Sequence, residues 1–156
     1  MHRPQSRIRQ RKFYSGKKKT HTMKNQVAVY RRRRDRKPIV AAVSASREGK
    51  VHDKKIYDDA RMASPKGVPR AADTGYQGTA LETPHKKPKG KELTQEQKAE
   101  NRMFASDRIV VEHGIGSMKR FGIASQRWRN PRNTRTIIIK NVAGLANWAY
   151  DHRPAA

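Results

Sequence analysis

From Thr20 onward, short β-branched stretches alternate with polar breaks along the chain. Thr22, Met23, Val27, Val29 and Tyr30 carry strand-favouring or apolar side chains, with Ala28 between the two valines. Arg31 to Lys37 is a charge run closed by Pro38, and Ile39 to Val43 is again apolar and β-branched. Two such stretches joined by a charged run predict a β-hairpin with a solvated tip. Glu48-Gly49 marks the next turn. His52 to Met62 has the spacing of a short helix, with Ile56 and Ala60 facing inward, and Ser64, Pro65, Gly67 and Pro69 break it. Ala71 to Tyr76 reads as a very short strand that ends at a glycine turn. Thr83 to Gly90 is dominated by Pro and Lys and reads as a loop.

Thr94 is a strong helix start. Gln97 lies three residues on, so the hydroxyl can take a free backbone N–H while the Gln reaches back. The helix predicted from Gln95 to about Phe121 contains no proline and places Ala99, Met103, Val110, Ile115, Met118 and Phe121 among its apolar positions. Gly114 and Gly116 each cost a helix about 1 kcal/mol relative to Ala. They mark either a break or a face that something approaches closely. Ile137 to Tyr150 is the last helix candidate, with Ile138, Val142, Leu145 and Trp148 roughly on one side. Residues 1–19 are basic and nearly without apolar side chains, which reads as a flexible arm. Only Phe13-Tyr14 and Ser15-Gly16 signal order there. The elements mix helix and strand, an α/β class, over 20–150, with 151–156 as a tail.

Charge changes the picture. The 156 residues hold 37 Lys+Arg against 13 Asp+Glu, a net +24. So large an excess cannot be neutralised internally and calls for an anionic partner. Nucleic acid rewards each base by releasing condensed counterions. A membrane surface is the competitor, but no stretch approaches the roughly 18 apolar residues of a span, and no apolar run follows the basic N-terminus. The absence of cysteine excludes disulfides and thiolate metal sites and fits a reducing cytoplasm. Hydrophobic residues are 34%, against roughly 45–50% in ordinary globular domains, so the core is small.

With so few acids, their positions are informative. Asp73 follows Ala71-Ala72 and precedes Gly75; Glu112 follows Ile109-Val110-Val111 and precedes Gly114 and Gly116. Both lie beside apolar segments, where a carboxylate needs a partner. One reading pairs each with a base, as Arg108 one turn before Glu112 would allow. The other makes the two together a site for a hard divalent cation, which offsets charge on phosphorus during phosphoryl transfer. The histidines are scattered without ligand spacing, so no zinc site is expected.

Five strings, in order along the chain, carry a family resemblance. They are Tyr14 to Thr22 (YSGKKKTHT), His52-Asp53-Lys54, Ala72 to Gly78 (ADTGYQG), Lys86 to Thr94 (KKPKGKELT) and Arg108 to Lys119 (RIVVEHGIGSMK). Together they resemble the motifs of insertion-sequence transposases with an RNase H-like DDE domain. The resemblance implies an RNase H-like mixed sheet flanked by helices, and three acids binding two Mg²⁺ or Mn²⁺ ions about 3.5–4 Å apart. Asp73 matches the second acid and Glu112 the third. The implied partners are DNA, at insertion-sequence ends and target, and the implied setting is the bacterial cytoplasm at the nucleoid.

The family's first acid lies upstream of the YSGKKK string, in a DGT-type motif on the first strand. Here no Asp or Glu occurs before Asp35. The first strand and first acid are therefore expected to be missing. Asp35, inside an arginine run, and Asp53, inside another motif, do not replace it. The expectation is a C-terminal fragment, inactive and poorly soluble alone through an exposed strand edge, and rescued by an upstream transposase fragment. The basic residues expected at phosphates are Lys17, Lys18, Lys19, Arg31 to Arg34, Arg108, Lys119, Arg120, Arg127, Arg129 and Arg132. Lys119 lies two helical turns beyond Glu112 on the same face, with Gly116 between them leaving room for a backbone. Tyr14, Trp128 and Trp148 have rings that can stack on bases, although core packing is the commoner use, above all for Trp148. Two rival readings are a small ribosomal-type RNA-binding protein and an inert, poorly folded remnant.

Overall fold

The central hairpin forms where alternation and the charged run predict it. In the computed structural model, which describes residues 1–156 except 2, 33, 35, 36, 61, 63–71 and 153–156, Val27–Arg31 pairs antiparallel with Pro38–Val43. A register shift at Ala28/Val29 gives the second strand one extra residue, a β-bulge. Arg31 and Arg34 stand exposed at the tip, and Arg33 and Asp35 lie outside the described residues. Arg32 reaches across to the Asp151 carboxylate at 2.5 Å.

In chain order the elements are α1 (Arg7–Phe13), β1 (Tyr14–Ser15), β2 (Thr20–His21), β3 (Met23–Lys24), β4 (Val27–Arg31), β5 (Pro38–Val43), β6 (Arg47–Glu48), α2 (Asp53–Ala60), α3 (Gln95–Lys119), α4 (Gly122–Ser125) and α5 (Arg135–Asp151). The class is α/β. The expected mixed sheet is not seen among the described residues. The strands form three separate two-stranded antiparallel ladders, β1–β2, β3–β6 and β4–β5.

One reason lies at the outer side of β5. There Asn147 of α5 takes the place of a neighbouring strand. Its Oδ1 accepts from the Val40 amide at 2.9 Å, and its Nδ2 donates to the Val40 carbonyl at 3.0 Å. Register and the flanking bonds Ser44–Gln26 and Arg32–Lys37 turn the amides of Val27, Val29 and Arg31 away from β5. No partner for them occurs among the described residues.

The core lies between this hairpin, α3 and α5. Val40, Met118, Ile139, Val142, Ala143 and Ala146 are its buried members, and Val27, Val29, Val43 and Phe121 pack around them. α5 is rotated by about one residue from the expected face. Ile139, Val142, Ala143 and Ala146 point inward, whereas Leu145 and Trp148 are exposed. The two alanines let the helix lie close to β5, which places Asn147 on the strand edge. A long side chain on that face would hold the backbones apart.

Within the segment expected to be a flexible arm, α1 and the β1–β2 hairpin form. Phe13 is buried, and its carbonyl accepts from the Thr22 amide at 2.8 Å. Gly49 sits against the same place. A Cβ there would lie 2.2 Å from the Thr22 hydroxyl and 2.7 Å from the Phe13 carbonyl, so only glycine fits. α2 covers the other end through Ile56, the largest fully buried side chain among the described residues. The expected helix breakers Ser64 to Pro69, and Ala71 of the expected short strand, lie outside the described residues. Ala72 and Asp73 are not in a strand; they lead into a turn of 3₁₀ helix, Thr74–Tyr76. Residues 83–90 are loop, as expected, and the loop continues to 93.

Candidate active site and nucleic-acid face

α3 carries Glu112 and decides how it is presented. The Thr94 hydroxyl accepts from the Gln97 amide at 3.2 Å and the Gln97 side chain accepts from the Thr94 amide at 3.1 Å, the expected reciprocal cap. The helix then runs unbroken to Lys119, through both glycines. Gly114 faces inward, where a Cβ would lie 2.8 Å from both methyl carbons of Val29. It is the close approach, not a break. Gly116 faces outward with nothing near it. Helical spacing puts Arg108, Glu112, Gly116 and Lys119 in one solvent-facing row. Glu112 is 61% exposed and receives a hydrogen bond from Arg108 Nε at 3.2 Å. The i,i+4 pair therefore forms. So exposed a pair is worth about 0.3–0.5 kcal/mol and leaves the carboxylate available to a stronger partner.

The apolar positions expected in the first half of α3 do not form a core. Ala99 is exposed and Met103 is 71% exposed. That half meets the 83–93 loop through polar contacts: the Asn101 side chain bonds both the amide and the carbonyl of His85, and His85 Nε2 meets Glu100.

Asp73 is exposed on a turn built by different contacts. Its carbonyl accepts from the Tyr76 amide at 2.9 Å, and the Tyr76 ring meets Tyr57 of α2 edge-on. Gln26 Nε2 bridges the Tyr76 hydroxyl at 3.0 Å and the Asp53 carbonyl at 2.7 Å. Lys54 donates to the Gly78 carbonyl at 3.0 Å, tying the HDK string to the ADTGYQG string. Burial pushes the Tyr76 phenol above its ordinary value. The hydrogen bond from Gln26 opposes this, and the charges of Asp53 and Asp73 add to it. Asp53 itself pairs with Lys24 at 3.1 Å.

Asp73's turn packs on α2, while Glu112's helix packs on β4, β5 and α5. No group of three His, Cys, Asp or Glu side chains able to hold a metal occurs among the described residues. The two acids offer the hard oxygen donors a divalent cation takes. By themselves they do not complete a two-metal set.

The cations are spread over the surface. Lys17, Lys18 and Lys19 are exposed on the β1–β2 turn, where Lys19 has a positive φ of 47°. Lys119, Arg120, Arg127 and Arg129 are exposed from the end of α3 onward. Arg132 instead stacks over Phe13 at 5.0 Å and Arg135 over Trp128 at 4.9 Å. Burial lowers the pKa of Arg135. Trp128 is a core residue. Trp148 is not: it is 60% exposed and stacked on His152 at 4.4 Å.

A family model described as DDE superfamily endonuclease matches residues 1–147. The chain belongs to this family. It is 35% identical over 144 residues to a protein of Microchaete diplosiphon named "Probable transposase for insertion sequence element IS702", a match covering 89% of this chain and 50% of that protein. The chain thus spans about half the length of the curated relative it matches. No solved structure gives a match. Enzymes of the DDE superfamily generally work with divalent metal ions. No helix among the described residues is long and apolar enough to cross a membrane.

Some contacts at the site have no signature in the sequence. Lys24 and Gln26 stand in a short polar run, Lys24-Asn25-Gln26, and nothing in their spacing announces what they hold.

Proposed function

We propose that this chain is the C-terminal part of a DNA transposase that cleaves and transfers strands with Mg²⁺ or Mn²⁺ in the bacterial cytoplasm, beside the nucleoid. Residues 20–150 are its share of an RNase H-like domain, and 151–156 a tail. Asp73 and Glu112 are two of the three metal-binding acids. When bound, the metals generate the attacking hydroxyl and offset charge on the leaving oxygen.

The observation that carries this reading is the outward row of α3. An acid available to a cation, a glycine with bare backbone and a lysine stand in line on a rigid helix. Gly116 lets a sugar-phosphate strand lie against the helix. Lys119 holds its charge on the far side of that strand, and Arg108, now on Glu112, would be free for a phosphate were a cation to hold that carboxylate. Lys17 to Lys19, Arg120, Arg127 and Arg129 extend the contact to flanking DNA at the element ends and target, each adding counterion release.

In this reading the family's first acid, for which no Asp or Glu before Asp35 is available, comes from an upstream transposase segment. That segment also contributes the strand that covers β4, and with it solubility. The test is nicking of supercoiled DNA in Mg²⁺, with the chain alone and with a fragment bearing a DGT-like strand. Nicking is expected only from the mixture, and Glu112→Gln abolishes it without changing the melting temperature. Nicking by the chain alone overturns the assignment of the missing acid.

A further inference from the structure

The α1 and β1–β2 region borders an open surface depression of about 630 Å³ remote from the Glu112 row in sequence. Its lining includes Arg3, Arg11, Tyr14, His21 and Lys50 and, among the described residues, contains no carboxylate. Its shape is fixed from three sides. Tyr14 and His21 are cross-strand partners in β1–β2, and their rings meet edge-on at 5.7 Å. The Lys50 amide donates to the Lys12 carbonyl at 3.1 Å, which holds the turn after β6 against α1. Arg3 donates to Gln10 of α1 at 3.0 Å, so its head stays at the rim. Tyr14 is 45% exposed between the buried Phe13 and Ser15, the alternation a strand imposes, so its ring faces the cleft's solvent side.

An apolar face ringed by cations takes a ligand that is flat and aromatic at one end and anionic at the other. A nucleotide has that form. A paired base is stacked above and below and cannot reach the ring in a concave cleft; an unpaired base can. We propose that this cleft holds one unpaired nucleotide of a DNA strand, its base on the Tyr14 ring and its phosphates on Arg3, Arg11 and Lys50. The proposal rests on the DNA reading above and specifies which form of DNA this part of the surface selects. The cleft and the row on α3 then divide the work: one grips a frayed strand, the other addresses the scissile phosphate.

The test compares binding of the full chain, by fluorescence anisotropy, to a blunt duplex and to the same duplex with a short single-stranded gap. The expected preference for the gapped DNA is about tenfold, the scale of one base stacked on an aromatic ring. Tyr14→Ala reduces affinity for gapped DNA to the duplex level and leaves duplex affinity unchanged, and Tyr14→Phe keeps the preference. Lys50→Gln weakens gapped DNA more than duplex, a second readout should Tyr14→Ala perturb folding.

No preference in the wild type, or an equal loss on both DNAs for Tyr14→Ala and Lys50→Gln, overturns the proposal while leaving the DNA reading intact. Failure to bind either DNA removes both. If free dAMP binds as tightly as the gapped site, the ligand is a mononucleotide and the strand assignment is wrong.

Discussion

The two halves of α3 are one continuous helix held in two different ways. From Gln95 to Ile109 the helix buries nothing fully; it stands on its reciprocal cap and on polar contacts to the 83–93 loop. From Val110 to Lys119 it buries Val110, Gly114, Ser117 and Met118 against the hairpin and α5. The first half is specified locally and the second by packing, which supplies most helical stability in proteins. The proposed acid is on the second half. There, a side chain's aim is set by the opposite face, where Gly114 lies flush against Val29.

Substitutions can break this contrast, and Met118→Ala should have the largest effect. The site is enclosed by Val40, Ile139 and Val142 and cannot collapse easily, so a loss of about 2–5 kcal/mol is expected in urea unfolding. Gly114→Ala comes next, at about 1–3 kcal/mol, because the new methyl meets Val29. Adding Val29→Ala should recover part of that loss, a non-additivity that a double-mutant cycle detects. Thr94→Ala removes the cap and should cost about 1 kcal/mol. It should raise amide hydrogen exchange only in the first half of the helix. Met103→Ser should change the melting midpoint least, within about 0.5 kcal/mol, since the side chain is in water. An equal effect at Met103 and Met118 would show that the two halves are not held differently.

Much of this was readable from the residues. The β4–β5 hairpin, the capping box and α2 around Ile56 all follow from local rules that operate over a few positions. Gly114 and Gly116 were seen to matter, but which one faced the core depends on Val29, far away in the chain. The inward face of α5 is set by size rather than by hydrophobicity. Ala143 and Ala146 went inward to allow a close approach, leaving Leu145 and Trp148 outside. The arm was underestimated because its single apolar anchor, Phe13, finds its partners in Thr22 and Gly49. For the candidate site, the sequence marked Asp73 and Glu112 by their neighbours and motifs. It could not show that Asp73's turn hangs from Tyr76 and Gln26, since that network joins three separate segments.

Asn147 gives the hairpin a polarity. Because a side chain amide already answers Val40, the ladder can lengthen only past Val27, Val29 and Arg31. A hairpin with one growing side behaves like a monomer with one reactive end: two molecules that meet there consume each other's valence, so association through this hairpin stops at a pair.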